Sequence, residues 1–358
     1  MTAELTESTR LDPARLETFV GRMVSDLAAA ESAAATYVGD RLGLYRAMTG
    51  GGAMTPAELA GRTGTNERLV LEWLRNQTAG GYVEHEDGRF RLPPEHAAAL
   101  ADEESPYFLA GAFEIIAAIW SDTGAIEEAF LGDGALAWGD HDSRLYSGVE
   151  RFYGATYRSS LVQAWLPELD GVAERLEAGA AVADVGCGYG LSTVVMAEAF
   201  PGSTLVGYDS HAPSIDAARA RAARAGVDDR VQFEVRDASE APQDEFDLVC
   251  FFDALHDMGD PVGAAAAARR ALRADGVLMV VEPMAGDRLE DNVGPVARTY
   301  YAGSTFLCTP SALAQEGHHA LGAQAGPAAL TEVLEAAGFT RVRVAARTPF
   351  NLVLEARP

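Results

Sequence analysis

The chain has 358 residues, enough for two or three domains with a hydrophobic core. Acidic residues outnumber basic ones by 53 to 28, which gives a formal net charge of −25, and every basic residue is an arginine because the sequence contains no lysine. This charge argues against binding to a nucleic-acid backbone or an anionic membrane, since both attract positively charged protein surfaces.

Cysteine usage and hydropathy predict a cytoplasmic protein. The sequence contains only three cysteines, an odd number, and they lack the Cys-x-x-Cys spacing of a zinc site. We therefore expect no disulfide framework. We also expect no catalytic role for Cys187, Cys250 or Cys308. The N-terminus lacks a basic segment followed by an apolar run, which predicts no signal peptide. No uninterrupted apolar stretch reaches about 18 residues, so we expect no membrane span.

Residues 1–100 are predicted to form a winged-helix-like domain. Helical periodicity covers 13–30 and 33–48. Thr55 and Pro56 predict the start of a further helix, and Thr65 is the expected cap of the next one. Two alternating runs around Asp87 and Gly88 predict a β-hairpin.

The charge of this region distinguishes two functions of a winged helix. Residues 56–92 contain five arginines and six acidic residues, a net charge of −1. A DNA reader needs a basic face, so the count favours a packing or dimerisation domain. A cofactor-sensing regulator that uses this domain remains an alternative.

The remaining chain is predicted to contain a helical bridge, 101–175, and an α/β domain, 176–358. The bridge is rich in aromatic residues and would roof a cleft. Beyond it strands and helices alternate, which predicts a doubly wound parallel sheet. The last two predicted strands, 341–346 and 350–355, are too close in sequence for a crossover helix and must pair as an antiparallel hairpin.

The richest local pattern is a glycine turn between a strand and a helix. Gly186, Gly188 and Gly190 would let a ligand approach the backbone at a helix N-terminus. The dinucleotide fingerprint requires its third glycine where Leu191 stands, which argues against a dehydrogenase. Asp184 would favour a ligand bearing an ammonium group, and Asp209 at the end of the next strand can accept two ribose hydroxyl hydrogen bonds.

From about residue 150 to the end, these motifs together resemble the class I S-adenosylmethionine-dependent methyltransferases. Further matches are Arg236-Asp237-Ala238, the strand beginning at Phe246 and the strand 276–283. Nearly the whole chain resembles a bacterial two-domain subfamily with an N-terminal winged-helix-like domain, whose members usually dimerise through that domain. The resemblance implies a homodimer that binds S-adenosylmethionine and releases S-adenosylhomocysteine. The expected cofactor-binding residues are Asp184, Gly186, Gly188, Gly190, Asp209, Ser210, His211, Asp237, Ala238, Phe252, Asp253 and Arg158.

The predicted catalytic residues are His256, Asp257 and Glu282. The stretch 253–258 resembles the His-Asp-Trp segment of small-molecule O-methyltransferases, in which the histidine is a general base, although Met258 replaces the tryptophan. Glu282 would orient His256 or stabilise a cation. Two alternatives remain: a His256 that takes no proton, because proximity alone suffices for many methyl transfers, and a purely structural Glu282.

The sequence identifies a class of acceptor rather than one compound. Tyr153, Tyr157 and His319 are the expected substrate contacts. His318 and His319 could join His256 and Asp257 in a metal set, as in metal-using keto-acid C-methyltransferases, but we predict no metal. We expect methyl transfer to a small aromatic or apolar molecule, with O-methylation favoured over C- or N-methylation and over a non-methylating use of the cofactor.

Overall fold

A computed structural model describes residues 11–240 and 242–358, which divide into one unit ending at Phe113 and a second from Glu114 to Pro358. The two units are described separately. The predicted bridge is shared between them, because 101–113 belongs to the first unit and 114–175 to the second.

The first unit has the predicted winged helix-turn-helix order. Its elements are α1 (Pro13–Arg41), α2 (Leu44–Met48), α3 (Pro56–Thr63), α4 (Glu67–Ala79), β1 (Glu84–Glu86), β2 (Arg89–Arg91) and α5 (Pro94–Leu100). Strands β1 and β2 pair antiparallel, as predicted. Their hairpin and the helices enclose a core that includes Tyr45, Leu59, Trp73, Leu74 and Phe90.

Two sequence predictions in this unit were wrong in detail. The two predicted N-terminal helices are largely one helix, because α1 continues through the alanine-rich stretch to Arg41, and only the short α2 follows. Asn66 rather than Thr65 caps α4: its side chain accepts hydrogen bonds from the backbone N–H groups of Arg68 (3.0 Å) and Leu69 (3.2 Å). The Thr65 hydroxyl instead lies 2.7 Å from that of Thr63.

The second unit alternates strands and helices after a mainly helical start. Its helices are α6 (Gly111–Leu131, which begins in the first unit), α7 (Arg144–Thr156), a π-helix (Tyr157–Trp165), α8 (Val172–Ala178), α9 (Leu191–Ala199), α10 (Ala212–Ala225), α11 (Pro261–Ala271), α12 (Pro295–Gly303), a π-helical turn (Ser304–Cys308), α13 (Thr309–Leu313) and α14 (Pro327–Ala336). Its strands are β3 (Ala181–Val185), β4 (Thr204–Asp209), β5 (Val231–Val235), β6 (Phe246–Phe252), β7 (Leu272–Pro283), β8 (Arg341–Arg347) and β9 (Asn351–Arg357).

The seven strands form one sheet in the order β5-β4-β3-β6-β7-β9-β8. All pairings are parallel except those of β9, which runs antiparallel to both β7 and β8. This confirms the predicted α/β class and its terminal hairpin. The chain winds outward from β3 to β5 and then returns to β6, so the order reverses between β3 and β6. In such sheets, ligands bind beyond the carboxyl ends of the strands at that reversal.

Apolar residues cover both faces of the sheet. Val182, Leu248 and Met279 belong to the core on one face, and their neighbours Ala183 and Val249 to the core on the other. Since alternate residues of a strand point to opposite faces, these near-continuous apolar runs indicate a sheet packed on both sides. The polar groups that can do chemistry are therefore concentrated where the strands end.

Candidate active site

The glycine turn between β3 and α9 has the conformation that its sequence predicts. Gly186, Gly188 and Gly190 have φ angles of +74°, +52° and +74°. A Cβ atom on Gly186 would lie 2.6 Å from Ala254 Cβ, and one on Gly190 would lie 2.6 Å from Phe233 Cζ. Only glycine satisfies both requirements, so the turn forms a tight backbone cradle at the N-terminus of α9.

Asp209 lies directly beside this cradle, at the end of β4. Its Oδ2 accepts a hydrogen bond from Gly188 N–H at 2.9 Å, and its Oδ1 accepts one from His211 N–H at 2.8 Å. Burial raises the pKa of Asp209. Each carboxylate oxygen has a further lone pair, so the fixed carboxylate can accept two hydroxyl groups of a ribose.

The side chain of Asp184, at the end of β3, forms hydrogen bonds with the first turn of α9. The carboxylate is fully buried, and its Oδ2 accepts the hydroxyl groups of Ser192 and Thr193, each at 2.6 Å. Burial raises the pKa of Asp184 to about 6. These contacts give Asp184 a structural role, while its predicted contact with an ammonium group remains a prediction.

Other predicted cofactor residues surround the carboxyl ends of β4 and β5. Ser210 is exposed, and the His211 ring lies 2.8 Å from the Ser214 hydroxyl. Asp237 is exposed and accepts hydrogen bonds from Ser239 N–H (2.9 Å) and the Ser239 hydroxyl (2.6 Å), next to a 3₁₀ turn that begins at Ala238. Their contacts with an adenosine group remain predictions.

Arg158 lies on the π-helix, close to the start of α9. A Cβ atom on Gly154 would lie 3.3 Å from Arg158 Nη1 and 2.8 Å from the Leu191 side chain. Arg158 and Leu191 are therefore neighbours across Gly154, which places the guanidinium near the glycine turn. This position is compatible with the predicted pairing of Arg158 with a carboxylate.

His256 is held between the other two predicted catalytic residues. Its Nδ1 bonds to Glu282 Oε2, and its Nε2 lies 3.1 Å from Asp257 Oδ1. Glu282 Oε1 accepts the backbone N–H groups of Leu255 (3.1 Å) and His256 (3.3 Å), so the glutamate is fixed at three points. The structure thus brings together all three residues, from a 3₁₀ turn after β6 and from the end of β7.

The charge state of His256 follows from these neighbours. Burial alone lowers the pKa of His256, but Asp257 and Glu282 more than reverse that effect and raise it well above its ordinary value. An imidazolium cannot accept a proton. His256 therefore becomes a base only when its Nε2 is relieved of its proton and of the contact with Asp257.

Asp253 has a strained backbone at the end of β6. Its φ is +51°, a conformation that non-glycine residues adopt at an energetic cost and that is enriched at functional sites. The Tyr157 hydroxyl donates to its Oδ2 at 2.8 Å, and Asn351 Nδ2 lies 3.4 Å from its Oδ1. Removal from water, together with the charge of Glu282, raises the pKa of Asp253 to about 8.

Aromatic rings form a wall next to Asp253. Tyr153 and Tyr157 stack with 6.1 Å between ring centroids, and Tyr157 also packs 5.6 Å from the ring of Phe252 and 6.2 Å from that of Trp165. Burial raises the pKa of both tyrosines well above the ordinary value, so both remain neutral phenols.

The histidine pair of the later loop does not join His256. His318 Nδ1 lies 2.8 Å from the Leu313 carbonyl oxygen, and His319 is exposed while its backbone N–H donates to Gly259 O at 2.8 Å. Within the described part of the chain, the group of potential metal ligands around His256 comprises Asp257 and Cys308 instead. The loop does approach the segment after Asp257, so the predicted substrate contact of His319 remains a prediction.

Sequence reasoning missed Cys308 and Asn351. Cys308 ends a π-helical turn far along the chain from His256, and no spacing links the two. Asn351 is paired in register with Pro283, the residue after Glu282. The register of the predicted terminal hairpin would have placed Asn351 beside the end of the strand that carries Glu282. No feature of the sequence would have placed Cys308 near His256.

The arginines of the winged helix are largely neutralised within their own unit. Glu72 pairs with both Arg68 and Arg75, and Arg89 pairs with Glu58 at 2.8 Å. Arg91 pairs with Glu84 on the hairpin. Among the described residues, no helix has the length and apolar content needed to cross a bilayer.

Comparisons with known proteins identify two families along the chain. Residues 176–338 match a family described as "Methyltransferase domain", and residues 30–102 match one described as "Rv2258c-like winged HTH domain". A 27-O-demethylrifamycin SV methyltransferase from Amycolatopsis mediterranei is 38% identical over 105 residues, which cover 29% of this chain and 38% of that protein. Matches to the curated relatives span 24% to 49% of their lengths, less than two thirds.

Solved structures match over almost the whole chain. The mitomycin 7-O-methyltransferase MmcR has a TM-score of 0.69 at 21% identity, with 96% of this chain and 100% of that chain covered. CalO1, a methyltransferase in calicheamicin biosynthesis solved in its SAH-bound form, has a TM-score of 0.68 at 23% identity, with 98% and 100% covered. At these identities the likeness shows the fold. The two family matches show that the chain carries a methyltransferase domain behind an N-terminal winged HTH domain.

Proposed function

We propose that the protein transfers a methyl group from S-adenosylmethionine to an oxygen atom of a small aromatic or apolar acceptor. The observation that carries this proposal is the contact between the glycine turn and the segment that bears His256. A Cβ on Gly186 would lie 2.6 Å from Ala254 Cβ and 3.9 Å from Met258 Cε. Because methyl transfer is an in-line displacement, a cofactor cradle packed against an acceptor-activating cluster supplies the proximity that it requires.

The cofactor half of the site fits an S-adenosylmethionine molecule. When bound, the cofactor supplies an electrophilic methyl group on a positively charged sulfur. In this proposal the glycine turn admits the methionine portion, Arg158 pairs with its carboxylate, and Asp209 holds the ribose hydroxyl groups, with Ser210 and His211 at the rim. Asp237 and Ala238 contact the adenine. An acid-rich pocket suits a ligand that carries both a sulfonium and an ammonium group.

The acceptor half fits a flat molecule with a hydroxyl group. The rings of Tyr153, Tyr157 and Phe252 offer an apolar wall, and His256, oriented by Glu282, activates the acceptor oxygen. Asp257 completes the cluster beside Nε2, and Asp253 lies between the two halves of the site. His319, on the loop hydrogen-bonded to Gly259, contributes to the acceptor's binding surface.

The experiment is an assay of the purified chain with S-adenosylmethionine and a panel of phenols and hydroxylated apolar compounds. We expect S-adenosylhomocysteine and a product heavier by one methylene group. The variant His256→Ala should still bind the cofactor but lose most of the transfer. A wild-type protein that binds S-adenosylmethionine but gives product only with amines or carbon acids would contradict O-methylation.

We also propose that the protein is a homodimer that assembles through α1. Four apolar side chains on one face of this helix are 46% to 61% exposed: Leu16, Phe19, Met23 and Leu27. Their spacing of three and four residues is that of a helix face buried against a partner. Light scattering should give a dimer mass for the wild type and for Ser25→Gln on the opposite face, and a monomer for the double substitution Phe19→Gln and Met23→Gln.

Two further properties support a cytoplasmic protein that binds no nucleic acid. All three cysteines are buried free thiols, the state that a reducing compartment maintains. The paired arginines of the winged helix leave that unit without a basic face. Electrophoresis with duplex DNA at low salt should therefore show no shift, and a shift that weakens with salt would favour a regulatory role.

A further inference from the structure

We propose that Glu150 and Arg221 are positioning residues for the cofactor, because their ion pair holds α7 against the glycine turn and so sets where Arg158 lies. The proposal deepens the proposed function and rests on it for the identity of the cofactor. It concerns the amino-acid part of S-adenosylmethionine, whose carboxylate Arg158 would bind. The sequence assigns no role to either partner of the pair.

Helix α7 contacts the segments around the glycine turn through residues spaced about one helical turn apart. Tyr146 packs against the ring of His211, after β4, with 4.7 Å between ring centroids. Gly154 lies so close to the start of α9 that a Cβ atom there would be 2.8 Å from the Leu191 side chain. Because residues four apart share one face of a helix, Tyr146, Glu150 and Gly154 lie on the face that meets this part of the site.

Glu150, in the middle of that face, is joined to the glycine turn through Arg221 of α10. Arg221 Nη2 pairs with Glu150 Oε1, and Arg221 Nε donates to the backbone carbonyl oxygen of Tyr189 at 3.0 Å. Since Tyr189 lies between Gly188 and Gly190, one guanidinium connects α7 to the middle of the glycine turn. A guanidinium suits this double contact, because its N–H groups point in fixed directions from a rigid plane.

Partial burial makes this ion pair different from one on the surface. The side chains of Arg221 and Glu150 are only 23% and 20% exposed. Removal from water, followed by the like charge of Arg224, lowers the pKa of Arg221, so the guanidinium has given up hydration at this position. A partly dehydrated charge is costly to leave without its partner. Substitution of Glu150 or Arg221 should therefore displace α7 from the glycine turn.

A displacement of α7 at Glu150 is transmitted to Arg158. Helix α7 ends at Thr156, and the π-helix that carries Arg158 begins at the next residue, Tyr157, so the backbone is helical throughout. The Arg158 guanidinium lies next to Gly154, since a Cβ atom on that glycine would be 3.3 Å from Arg158 Nη1. Pairing of a guanidinium with a carboxylate through two parallel hydrogen bonds requires accurate geometry, which a shifted helix loses.

The ribose contact is fixed by other bonds. Asp209, which would hold the ribose hydroxyl groups, accepts the N–H groups of Gly188 and His211, and neither bond involves Glu150 or Arg221. Ligands that share the adenosine part but differ in the amino-acid part therefore separate a positioning role from general damage to the fold.

The test is calorimetric titration of the full-length protein with S-adenosylhomocysteine and, by competition, with 5′-methylthioadenosine, which has the same adenosine part but no amino acid. We expect Glu150→Gln to weaken binding of S-adenosylhomocysteine by about tenfold, as loss of a hydrogen bond to a charged group does. Binding of 5′-methylthioadenosine should change less than about twofold, since its contacts lie away from the pair. Arg221→Gln should act in the same way, and the double variant should lose no more than Arg221→Gln alone.

Initial rates give a second measurement on the same variants. The KM for S-adenosylmethionine should rise by about tenfold while kcat at saturating cofactor changes less than about twofold, because the pair acts on binding rather than on the transition state. The matched controls are Arg224→Gln, at an exposed arginine of α10, and Glu198→Gln, at an exposed glutamate of α9. Both should bind the two ligands as the wild type does.

The positioning role is overturned if Glu150→Gln binds S-adenosylhomocysteine as tightly as the wild type. It is also overturned if the variant loses affinity for both ligands by the same factor, which would assign the pair a role in stability alone. In either case a wild type that binds S-adenosylhomocysteine leaves the proposed function intact. A wild type that binds neither ligand removes the proposed function and this inference with it.

Discussion

The cofactor half and the acceptor half of the site are built in different ways. The cofactor half uses backbone: three glycines with positive φ between β3 and α9, and an aspartate that accepts two backbone N–H groups. The proposed acceptor half uses side chains from separate segments, namely His256 after β6 and Glu282 at the end of β7, and Cys308 on a π-helical turn lies beside them. Under the proposed function, cofactor binding therefore depends on local conformation, whereas acceptor activation depends on tertiary packing.

Glu282→Gln is expected to have the largest effect, because it should impair methyl transfer while leaving cofactor binding nearly unchanged. An amide opposite Nδ1 favours the tautomer with the proton on Nε2, which prevents that atom from acting as a base. We expect kcat to fall by up to about 10⁴-fold, the order seen when an orienting carboxylate is neutralised, while affinity for S-adenosylmethionine changes less than about twofold.

Initial rates and calorimetry on the same preparation measure both effects. Glu332→Gln, an exposed glutamate on α14, is the control and should change neither. A parallel loss of cofactor affinity in Glu282→Gln would show that the halves are coupled.

Gly190→Ala is expected to act on the cofactor half of the site instead and to weaken cofactor binding. The new Cβ would lie 2.6 Å from Phe233 and 2.8 Å from Ala218 in a conformation with φ of +74°. Strain and overpacking of roughly 3 kcal/mol should lower cofactor affinity by about 100-fold, as titration calorimetry would detect.

Gly226→Ala is the matched control for that substitution. Its φ is +66°, but a Cβ there meets nothing within 4 Å. We expect a small loss of stability and unchanged cofactor affinity. Equal losses of affinity in the two variants would mean that backbone strain alone, rather than contact in the cradle, explains the effect.

A smaller effect within the cofactor half is expected from Asp209→Asn. The amide keeps the volume but loses the charge and replaces one acceptor oxygen by a donor, opposite a backbone N–H group. We expect cofactor affinity to fall by about 30-fold, or roughly 2 kcal/mol. Asp228→Asn, at an exposed aspartate, should have no effect in the same titration; comparable losses would argue that overall charge, not Asp209, attracts the cofactor.

The smallest expected effect is the contribution of Asp253, which lies between the two halves of the site, to the pH dependence of stability. Its pKa of about 8 in the folded protein exceeds the value of about 4 in an unfolded chain. The folded state therefore retains a proton that the unfolded state loses, and this group's contribution to the free energy of unfolding is full below pH 4 and declines as the pH rises to 8. Between pH 6 and pH 7 the decline is about 1 kcal/mol.

Asp253→Asn should remove that part of the pH dependence. Urea denaturation of the wild type and the variant at pH 6 and pH 7 measures it. An unchanged difference between the two pH values would show that Asp253 is ionised in the folded protein. Asp228→Asn again serves as the control, because an exposed carboxyl group should leave the difference unaltered.

The same contrast explains what could be predicted from the sequence. Strand β6 begins at Phe246 and the last two strands pair as an antiparallel hairpin, both as predicted, because apolar runs between turn residues determine buried strands locally. The glycine turn and Asp209 were predictable for the same reason. Cys308 was not, because its proximity to His256 arises from the packing of a π-helical turn that no periodicity reveals.

The residue at which a helix begins is also difficult to predict from the sequence. Thr55 was predicted correctly as a cap, and it forms a capping box with Glu58. Thr65 was not the cap, since the neighbouring Asn66 is also a good capping residue and the choice depends on where the turn places each side chain. The types of residue present predict that a helix starts in a segment. Contacts with neighbouring residues determine which residue caps it.

The most direct test of the central claim is a pair of calorimetric titrations of the wild type, one with S-adenosylmethionine and one with NAD. The glycine turn with Leu191 in place of a third fingerprint glycine, the acid-rich pocket and Asp209 together predict one S-adenosylmethionine bound per chain and no heat of binding with NAD. Glu282→Gln should give the same cofactor isotherm. Binding of NAD, or none of S-adenosylmethionine, would contradict the account.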